Sequence, residues 1–522
     1  MGSKVGRSTW FSRVGVVLLV CAFSSACTPD DGSVPAAGED SVVRPARNSG
    51  QPPNIILITV ESLRPDHVGV YGGGSRSRPD VSTTPVLDAF AAEAMVYEDA
   101  HAVTSWTLAS HASLFTGLYP TAHQTRRATD RLDDSYLTLA ERVASRGYDT
   151  AGVVSGPYLR RTHKLNQGFA HYHDEIASES NAKSHGDTTN PAMLSAMKNA
   201  IDRELDPTRP FLLFAYFWDP HYDYVPPEPF SSMFVSADCE PIDLQHYEEK
   251  PTVNSSISPG QLAYVFSQYA GEIRWTDQHL GEFFSFLKDR GLWDDTVIIL
   301  TADHGEEFFD HGEKGHYNNV YVESVHVPLI VKYAKGGPVG RDARLVSLVD
   351  VVPTVLELSG GEAEGFLDGR NLLDSPPSTD RAVFFELLSV WGVSAASPGG
   401  EENGEGKDRS LFSGLRFLWD AVLAGGVPRT VRVQTWSGIR KGGHKLVVSP
   451  ELDRFELYDV KNDPKETRNI AGQEAVLADE MKRELLAWQA KEEETASQFV
   501  QGGAAQLSDK EVDELRSLGY LQ

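Results

Sequence analysis

The chain has 522 residues, enough for one large α/β domain with a smaller appended unit. Its composition, 40% hydrophobic and 23% charged, is globular and excludes a disordered or collagen-like chain. A formal net charge of -26 argues against a nucleic-acid-binding protein, because such a surface repels phosphate backbones. Three cysteines, Cys21, Cys27 and Cys239, are too few for a disulfide framework or a cysteine-built zinc site.

Residues 1–27 have the pattern of an export signal rather than of a folded domain. Three basic residues precede an apolar run, 14–23, that is too short to span a bilayer. The run continues through small residues into Cys27, which resembles the bacterial lipoprotein signal, in which the cysteine is acylated. We expect an exported protein with a lipid anchor at Cys27 in the cell envelope; plain cleavage and an uncleaved anchor are the alternatives. The composition of residues 28–50 predicts a flexible tether.

From Asn54 onward, short apolar runs alternate with helical segments. This pattern predicts a sheet that helices cover on both faces. The predicted buried strands are 55–60, 211–217, 297–301 and 327–331. Three of these strands lead directly into polar clusters, which are Glu61-Ser62, Asp219-Pro220-His221 and Asp303-His304. Ligands bind at the carboxyl ends of strands in open α/β sheets, so these clusters are expected to converge.

The polar clusters contain the side chains that a metal ion needs. Glu61, Asp303 and His304 offer two carboxylates and one imidazole, which suit a hard-to-borderline divalent ion. A single acidic residue after a strand would be read as a helix cap. Two such clusters together favour a metal site.

Residues 104–117 predict a loop that enters a helix ending at Gly117. Thr107 lies near the start of this helix, where oriented N–H groups stabilise an anion. A hydroxyl at this position is either a simple cap or a reactive group, and the local pattern leaves both interpretations open.

Several segments in chain order resemble the sulfatase family, within the alkaline phosphatase superfamily. The likeness covers about residues 53–475 and includes the segments 54–72, 107–123, 219–221, 269–277, 303–331, 346–354, 368–372, 457–459, 463–469 and, at the end of the chain, 518–521. The resemblance implies an α/β fold: an alkaline-phosphatase-like central mixed sheet sandwiched by helices, with a small C-terminal antiparallel sheet. It also implies one divalent metal ion as cofactor, with calcium, magnesium, manganese and zinc all left open.

The sequence departs from sulfatases at the nucleophile. Sulfatases carry a Cys or Ser that becomes formylglycine, followed two residues later by Pro and four later by Arg; here the segment reads Thr107-Leu108-Ala109-Ser110-His111. The set Glu61, Thr107, Asp303 and His304 instead resembles the metal ligands of lipoteichoic acid synthases and phosphoethanolamine transferases. In those enzymes a Thr is the nucleophile.

The same resemblance supplies two catalytic histidines. His221 and His316 match two histidines that face the transferred group, and we assign them a catalytic role with Thr107. The candidate substrate-binding residues are His111, at the position of the sulfatase Arg, and His311 and Lys314, which lie beside His316 in the chain. For His311 and Lys314 a supporting role at the site and a place in a surface loop are the alternatives.

The predicted organisation is a catalytic domain at 51–375, a variable insertion at 376–430 and a C-terminal subdomain with a helix at 431–522. The first functional hypothesis is a metal-dependent hydrolase of sulfuric or phosphoric esters, acting on a sulfated or phosphorylated small molecule or glycan. The second is a phosphodiesterase or phosphoryl transferase on an envelope substrate. The third is a degenerate lipoprotein that only binds an anionic glycan.

Overall fold

The computed structural model describes residues 51–180, 189–248, 250–361, 365–374, 380–391 and 432–517. The predicted signal segment and tether lie outside these residues, as does most of the predicted insertion. The predicted fold class is confirmed: a large mixed sheet packs between helices, and a small antiparallel sheet follows it in the chain.

The strands are numbered in chain order. They are β1 Asn54–Val60, β2 Met95–His101, β3 Asp149–Val154, β4 His171–His173, β5 Phe211–Phe217, β6 Thr296–Ala302, β7 Glu307–Phe308, β8 Lys314–Gly315, β9 Leu329–Lys332, β10 Gly340–Ser347, β11 Ala382–Trp391, β12 Arg432–Lys441, β13 His444–Ser449 and β14 Arg454–Asp459.

The α-helices of the described residues are numbered in the same way. They are α1 Pro85–Ala91, α2 Thr107–Thr116, α3 Pro120–His123, α4 Leu139–Ala144, α5 Glu175–Ser180, α6 Thr189–Asn199, α7 Phe230–Met233, α8 Pro259–Asp289, α9 Val322–Val325, α10 Val351–Leu358, α11 Ala475–Ala496 and α12 Asp509–Ser517. None of them combines the length and the apolar character that a bilayer crossing requires.

The central sheet has eight strands in the order β10-β2-β9-β6-β1-β5-β3-β4. Strand β9 runs antiparallel to both of its neighbours, and the other pairings are parallel. Every residue of β1, β5 and β6 is buried, which explains why these strands are near-continuous apolar runs.

The register of the three middle strands brings their carboxyl ends to one level. Val60 of β1 pairs with Phe217 of β5 on one side and with Ala302 of β6 on the other. The residues that follow, beginning with Glu61 and Asp303, therefore leave the sheet together at one edge. This edge positions the candidate site.

The C-terminal sheet has the order β11-β12-β13-β14 and is antiparallel throughout. Its first strand, β11, lies inside the range 376–430 that the sequence assigned to an insertion. The C-terminal sheet therefore begins before the predicted boundary, at Ala382. A ten-residue apolar strand precedes the polar run that follows residue 398. Helix α11 matches the predicted C-terminal helix and continues to Ala496.

A buried ion pair holds the C-terminal sheet to the loop that follows β8. Lys445 of β13 lies 2.8 and 2.9 Å from the two carboxylate oxygens of Glu466, and both side chains are almost completely buried. Glu466 also accepts a hydrogen bond from the backbone N–H of Val322 at the start of α9. Removing one partner of such a pair leaves an uncompensated buried charge.

We therefore expect Lys445→Met to lower the free energy of unfolding by about 3–5 kcal/mol, the usual cost of breaking a buried pair. Chemical denaturation followed by circular dichroism measures it. The matched control is Lys335→Met, which removes an ion pair with Asp294 on the surface and should leave the midpoint unchanged. Equal effects of the two variants would contradict this account of Lys445.

Candidate active site

The four predicted metal ligands meet at one point at the carboxyl edge of the sheet. Nε2 of His304 lies 3.2 Å from Oε1 of Glu61, 3.2 Å from Oγ1 of Thr107 and 3.5 Å from Oδ2 of Asp303. All four side chains are buried. They come from β1, β6 and α2, so the register of the sheet brings together residues more than 240 positions apart.

Thr107 is the first residue of α2, a ten-residue helix whose residues are all buried. Its hydroxyl lies 3.5 Å from Oε2 of Glu61. The free N–H groups and the partial positive charge of a helix N-terminus favour negative charge at this place. The position therefore suits a hydroxyl that becomes an oxyanion during a reaction.

Hydrogen bonds fix the orientation of His304 and Glu61. Nδ1 of His304 donates to the carbonyl of Gly305 at 2.9 Å, which leaves Nε2 with a lone pair that faces the cluster. Glu61 accepts hydrogen bonds from the hydroxyls of Ser62, at 2.8 Å, and Tyr216. Ser62 itself adopts a left-handed backbone conformation with φ 52°, which turns the chain sharply after β1.

The electrostatics of the cluster call for a cation. Burial and the nearby Asp303 raise the pKa of Glu61 to about 7, and burial raises the pKa of Asp303 to about 7. Burial lowers the pKa of His304 to about 4, so its imidazole is neutral. Oδ2 of Asp303 is buried and has no hydrogen-bond partner among the described residues. Two buried carboxylates, one of them unsatisfied, with a neutral imidazole fit a divalent metal ion.

His316 and His221 border the same space. One ring nitrogen of His316 lies within 4.8 Å of ligand atoms of Glu61 and His304, so His316 is also close enough to reach an ion. The ring centroid of His316 is 4.5 Å from that of His304 and 5.2 Å from that of His221. Nδ1 of His221 donates to the carbonyl of Tyr222 at 2.6 Å, and its ring stacks on Trp218 at 3.7 Å.

His111, at the position of the sulfatase Arg, contacts the backbone of Thr107. Its Nδ1 is 2.9 Å from the carbonyl of Thr107, and its Nε2 is 3.0 Å from the hydroxyl of Thr59. The side chain is completely buried. The structure thus gives His111 a supporting position beneath Thr107, with both ring nitrogens already bonded.

His311 and Lys314 bind other parts of the protein, and their contact with substrate stays a prediction. His311 binds Oε1 of Glu323 at 2.7 Å and the carbonyl of Glu466 at 3.0 Å. Burial alone would lower the pKa of His311. The hydrogen bond and negative charge of Glu323 outweigh burial and raise this pKa to about 9. The ammonium of Lys314 donates to three carbonyls, those of Tyr247, Lys250 and Val253, and so anchors the loop 247–253.

Two residues that contact the site were not predicted from the sequence as part of it. Tyr216 lies near the end of an apolar run and looks like a core residue, yet its hydroxyl donates to Glu61. Tyr224 donates to Glu306 at 3.0 Å. A hydroxyl at the end of a buried strand, facing a polar cluster, was the available signal, but it does not reveal the partner.

Comparison with known proteins identifies the family. A sequence model of the sulfatase family, described as "Sulfatase", matches residues 53–361, which is more than half of the chain. The chain belongs to the sulfatase family.

Sulfatase-family relatives of known name agree with this assignment. The chain is 26% identical over 397 residues to the multifunctional alkaline phosphatase superfamily protein PehA of Trinickia caryophylli, covering 61% of this chain and 76% of that protein. It is 25% identical over 478 residues to an endo-4-O-sulfatase of Bacteroides thetaiotaomicron, covering 80% of this chain and 88% of that protein.

Solved structures of the family share the fold. The phosphonate monoester hydrolase of Agrobacterium radiobacter matches with a TM-score of 0.59 and 20% identity, over 84% of this chain and 96% of that chain. A protein solved in complex with its substrate D-glucosamine-2-N,6-O-disulfate matches with a TM-score of 0.62 and 16% identity. The match covers 86% of this chain and 99% of that chain. This sulfatase-family protein is a hydrolase that acts on sulfuric or phosphoric esters, and the family generally uses a divalent metal.

We expect Glu61→Gln and Asp303→Asn to weaken metal binding by roughly 10-fold or more, since losing even a neighbouring partner of a ligand costs about 10- to 100-fold. Elemental analysis and calorimetric titration of the purified protein measure bound ion, with one per chain expected for the wild type. Asp277→Asn is the control, because Asp277 is a buried carboxylate that binds the N–H groups of Val86 and Leu87. An unchanged metal content in Asp303→Asn would contradict the assigned site.

Proposed function

We propose that this protein hydrolyses sulfate or phosphorus esters with Thr107 as the metal-bound nucleophile. The carrying observation is the position of the Thr107 hydroxyl, which is 3.2 Å from His304 and 3.5 Å from Glu61 at the start of a buried helix. Glu61, Asp303 and His304 would hold one divalent ion together with Thr107. When bound, that ion would lower the pKa of the hydroxyl and offset negative charge on the ester.

The chain's own residues account for the remaining chemistry. The Thr107 hydroxyl gives up its proton to solvent, and Oγ1 forms a bond to sulfur or phosphorus. The bond from that atom to the leaving-group oxygen breaks, and the oxygen keeps the electron pair. A proton from Nε2 of His316 neutralises it, a contribution worth about 10²- to 10⁴-fold in rate. His221 stands beside His316 and faces the same group.

Water then completes the cycle by attacking the sulfur or phosphorus of the Thr107 ester. Oγ1 of Thr107 leaves with the electron pair and takes a proton from solvent, and the proton that the attacking water loses restores His316. A formylglycine hydrate has a second hydroxyl from which sulfate is eliminated, whereas Thr107 has only one. The single hydroxyl therefore requires direct attack on the esterified atom.

That requirement favours a second candidate function, in which the substrate is a phosphorus ester. Phosphorus accepts a second nucleophile more readily than a sulfuryl group does. An acceptor alcohol in place of water would make the same site a phosphoryl transferase. The envelope substrate of such an enzyme would be a phosphodiester or a phosphonate monoester.

We expect Thr107→Ala to reduce turnover by roughly 10³-fold or more, as loss of a nucleophile does. Hydrolysis of 4-nitrophenyl sulfate, 4-nitrophenyl phosphate and bis(4-nitrophenyl) phosphate is measured across several divalent metals. Thr107→Ser should retain part of the activity, and a modified Thr107 peptide should appear in mass spectra of quenched reactions. Thr116→Ala, in the last turn of the same helix, is the control.

The panel separates the hypotheses. Sulfate turnover that depends on Thr107 supports a sulfatase without formylglycine, and turnover of phosphorus esters alone supports the second candidate. Absence of any turnover in protein that binds metal would contradict both and favour the binding role.

We also propose that the protein works in the cell envelope, anchored through Cys27. The supporting observation is the run of small residues that precedes Cys27 after an apolar segment. Expression with labelled palmitate should label the wild type and leave Cys27→Ser unlabelled. Label in Cys27→Ser would contradict the lipid anchor at Cys27 and would leave the proposed ester hydrolysis at Thr107 unaffected.

A further inference from the structure

Glu306 is a buried carboxylate that no step above uses. Its Oε1 lies 3.2 Å from Nδ1 of His316, and its Oε2 accepts a hydrogen bond from the hydroxyl of Tyr224 at 3.0 Å. The side chains of Glu306 and His316 are both completely shielded from solvent. The carboxylate of Glu306 is therefore joined both to Tyr224 and to the histidine assigned to the leaving group.

The β7–β8 hairpin places these two residues opposite each other. Glu307 pairs with Gly315 and Phe308 with Lys314, so Glu306 and His316 form the next position across the two chains. The backbone of Glu306 is fixed as well. Its N–H donates to the carbonyl of Glu323 at 3.0 Å, and its carbonyl accepts from Arg64 at 2.8 Å. Backbone geometry therefore sets the contact between the carboxylate and the imidazole.

We propose that Glu306 is the positioning residue for His316 and that Tyr224 supports it. By binding Nδ1, Glu306 holds the imidazole so that Nε2 faces the leaving-group oxygen. This inference rests on the proposed function, in which His316 protonates that oxygen. The pair resembles the general arrangement in which a third group orients a catalytic base or acid.

The proton inventory of the step balances. One proton lies in the contact between Oε1 of Glu306 and Nδ1 of His316, and a second is on Nε2. When the bond from sulfur or phosphorus to the leaving oxygen breaks, the Nε2 proton passes to that oxygen. The shared proton then remains on Nδ1, Glu306 is the carboxylate, and the Tyr224 hydroxyl stabilises it. In the second half, water returns a proton to Nε2.

A role through His316 has a signature that a structural role lacks. Poor leaving groups need protonation and good ones do not. The decrease in kcat caused by removing the positioning residue should therefore depend on the ester used. A purely structural defect would lower all rates by one factor. The effect should also disappear when His316 is already absent, because residues that act as one unit are not additive.

The experiment compares phenyl and 4-nitrophenyl esters of whichever acid the purified wild type hydrolyses. We expect Glu306→Ala to lower kcat on the phenyl ester by about 10- to 100-fold, the usual effect of losing such a partner. The loss on the 4-nitrophenyl ester should be under about threefold, since that group needs little protonation. Glu306→Gln should recover part of the phenyl activity, and Tyr224→Phe should show the same pattern more weakly.

The control is Glu307→Gln, the adjacent buried carboxylate, which binds Asn319 and the backbone of His311 and Glu313. Any effect that it has should be equal for both esters. The double variant His316→Ala with Glu306→Ala should be no slower than His316→Ala alone. Thermal melts of every variant identify loss of fold, and Glu306→Gln keeps the test available if Glu306→Ala does not fold.

The outcomes distinguish the inference from its basis. If His316→Ala shows the selective loss on phenyl esters and Glu306→Gln and Glu306→Ala do not, the inference is wrong and the proposed function stands. If His316→Ala itself lowers both esters equally, the assignment of His316 as the acid fails, and Glu306 loses its role with it. A double variant that is slower than His316→Ala by the full Glu306 effect also overturns the inference.

Discussion

Two carboxylates, Glu61 and Asp303, lie within a few ångströms of one imidazole, and all three side chains are buried. Like charges this close and this deeply buried repel each other and lose hydration at the same time. Around them, the hydroxyls of Ser62 and Tyr216 already bind Glu61, while Oδ2 of Asp303 has no partner among the described residues. A positive charge between the carboxylates would relieve this repulsion, which is why the site suits a divalent ion.

The scaffold supplies this convergence through strand register rather than through loops. β6, β1 and β5 are adjacent, parallel and buried, so the residues that follow them leave the sheet at one edge. Helix α2 then brings Thr107 to the same place, with its N-terminus facing the cluster. A site built on sheet ends and a helix start varies less in geometry than one carried by mobile loops.

The sequence predicted the strands and the convergence of Glu61, Asp303 and His304 because both depend on local signals. Apolar runs such as 211–217 are strands whether or not their partners are known, and Asp303-His304 follows one of them directly. The contacts of His311 and Lys314 could not be predicted, since their partners at Glu466 and in the loop 247–253 are distant in the chain. The same holds for Glu306, whose position opposite His316 depends on the pairing of a two-residue hairpin. Strand β11 was assigned to the predicted insertion because the residues that follow it are polar.

The hairpin of β11 and β12 has a consequence for how this enzyme can diversify. The two strands stay paired up to Trp391 and Arg432, so the intervening chain leaves and returns at neighbouring points of the sheet. Near that end, the Ser389 hydroxyl binds the carbonyl of Tyr317, the residue after His316. Because closing a longer loop adds little free-energy cost, the connection between the two strands can change in length without changing their pairing. A change in the length of that connection therefore leaves the contact between β11 and the residue after His316 in place.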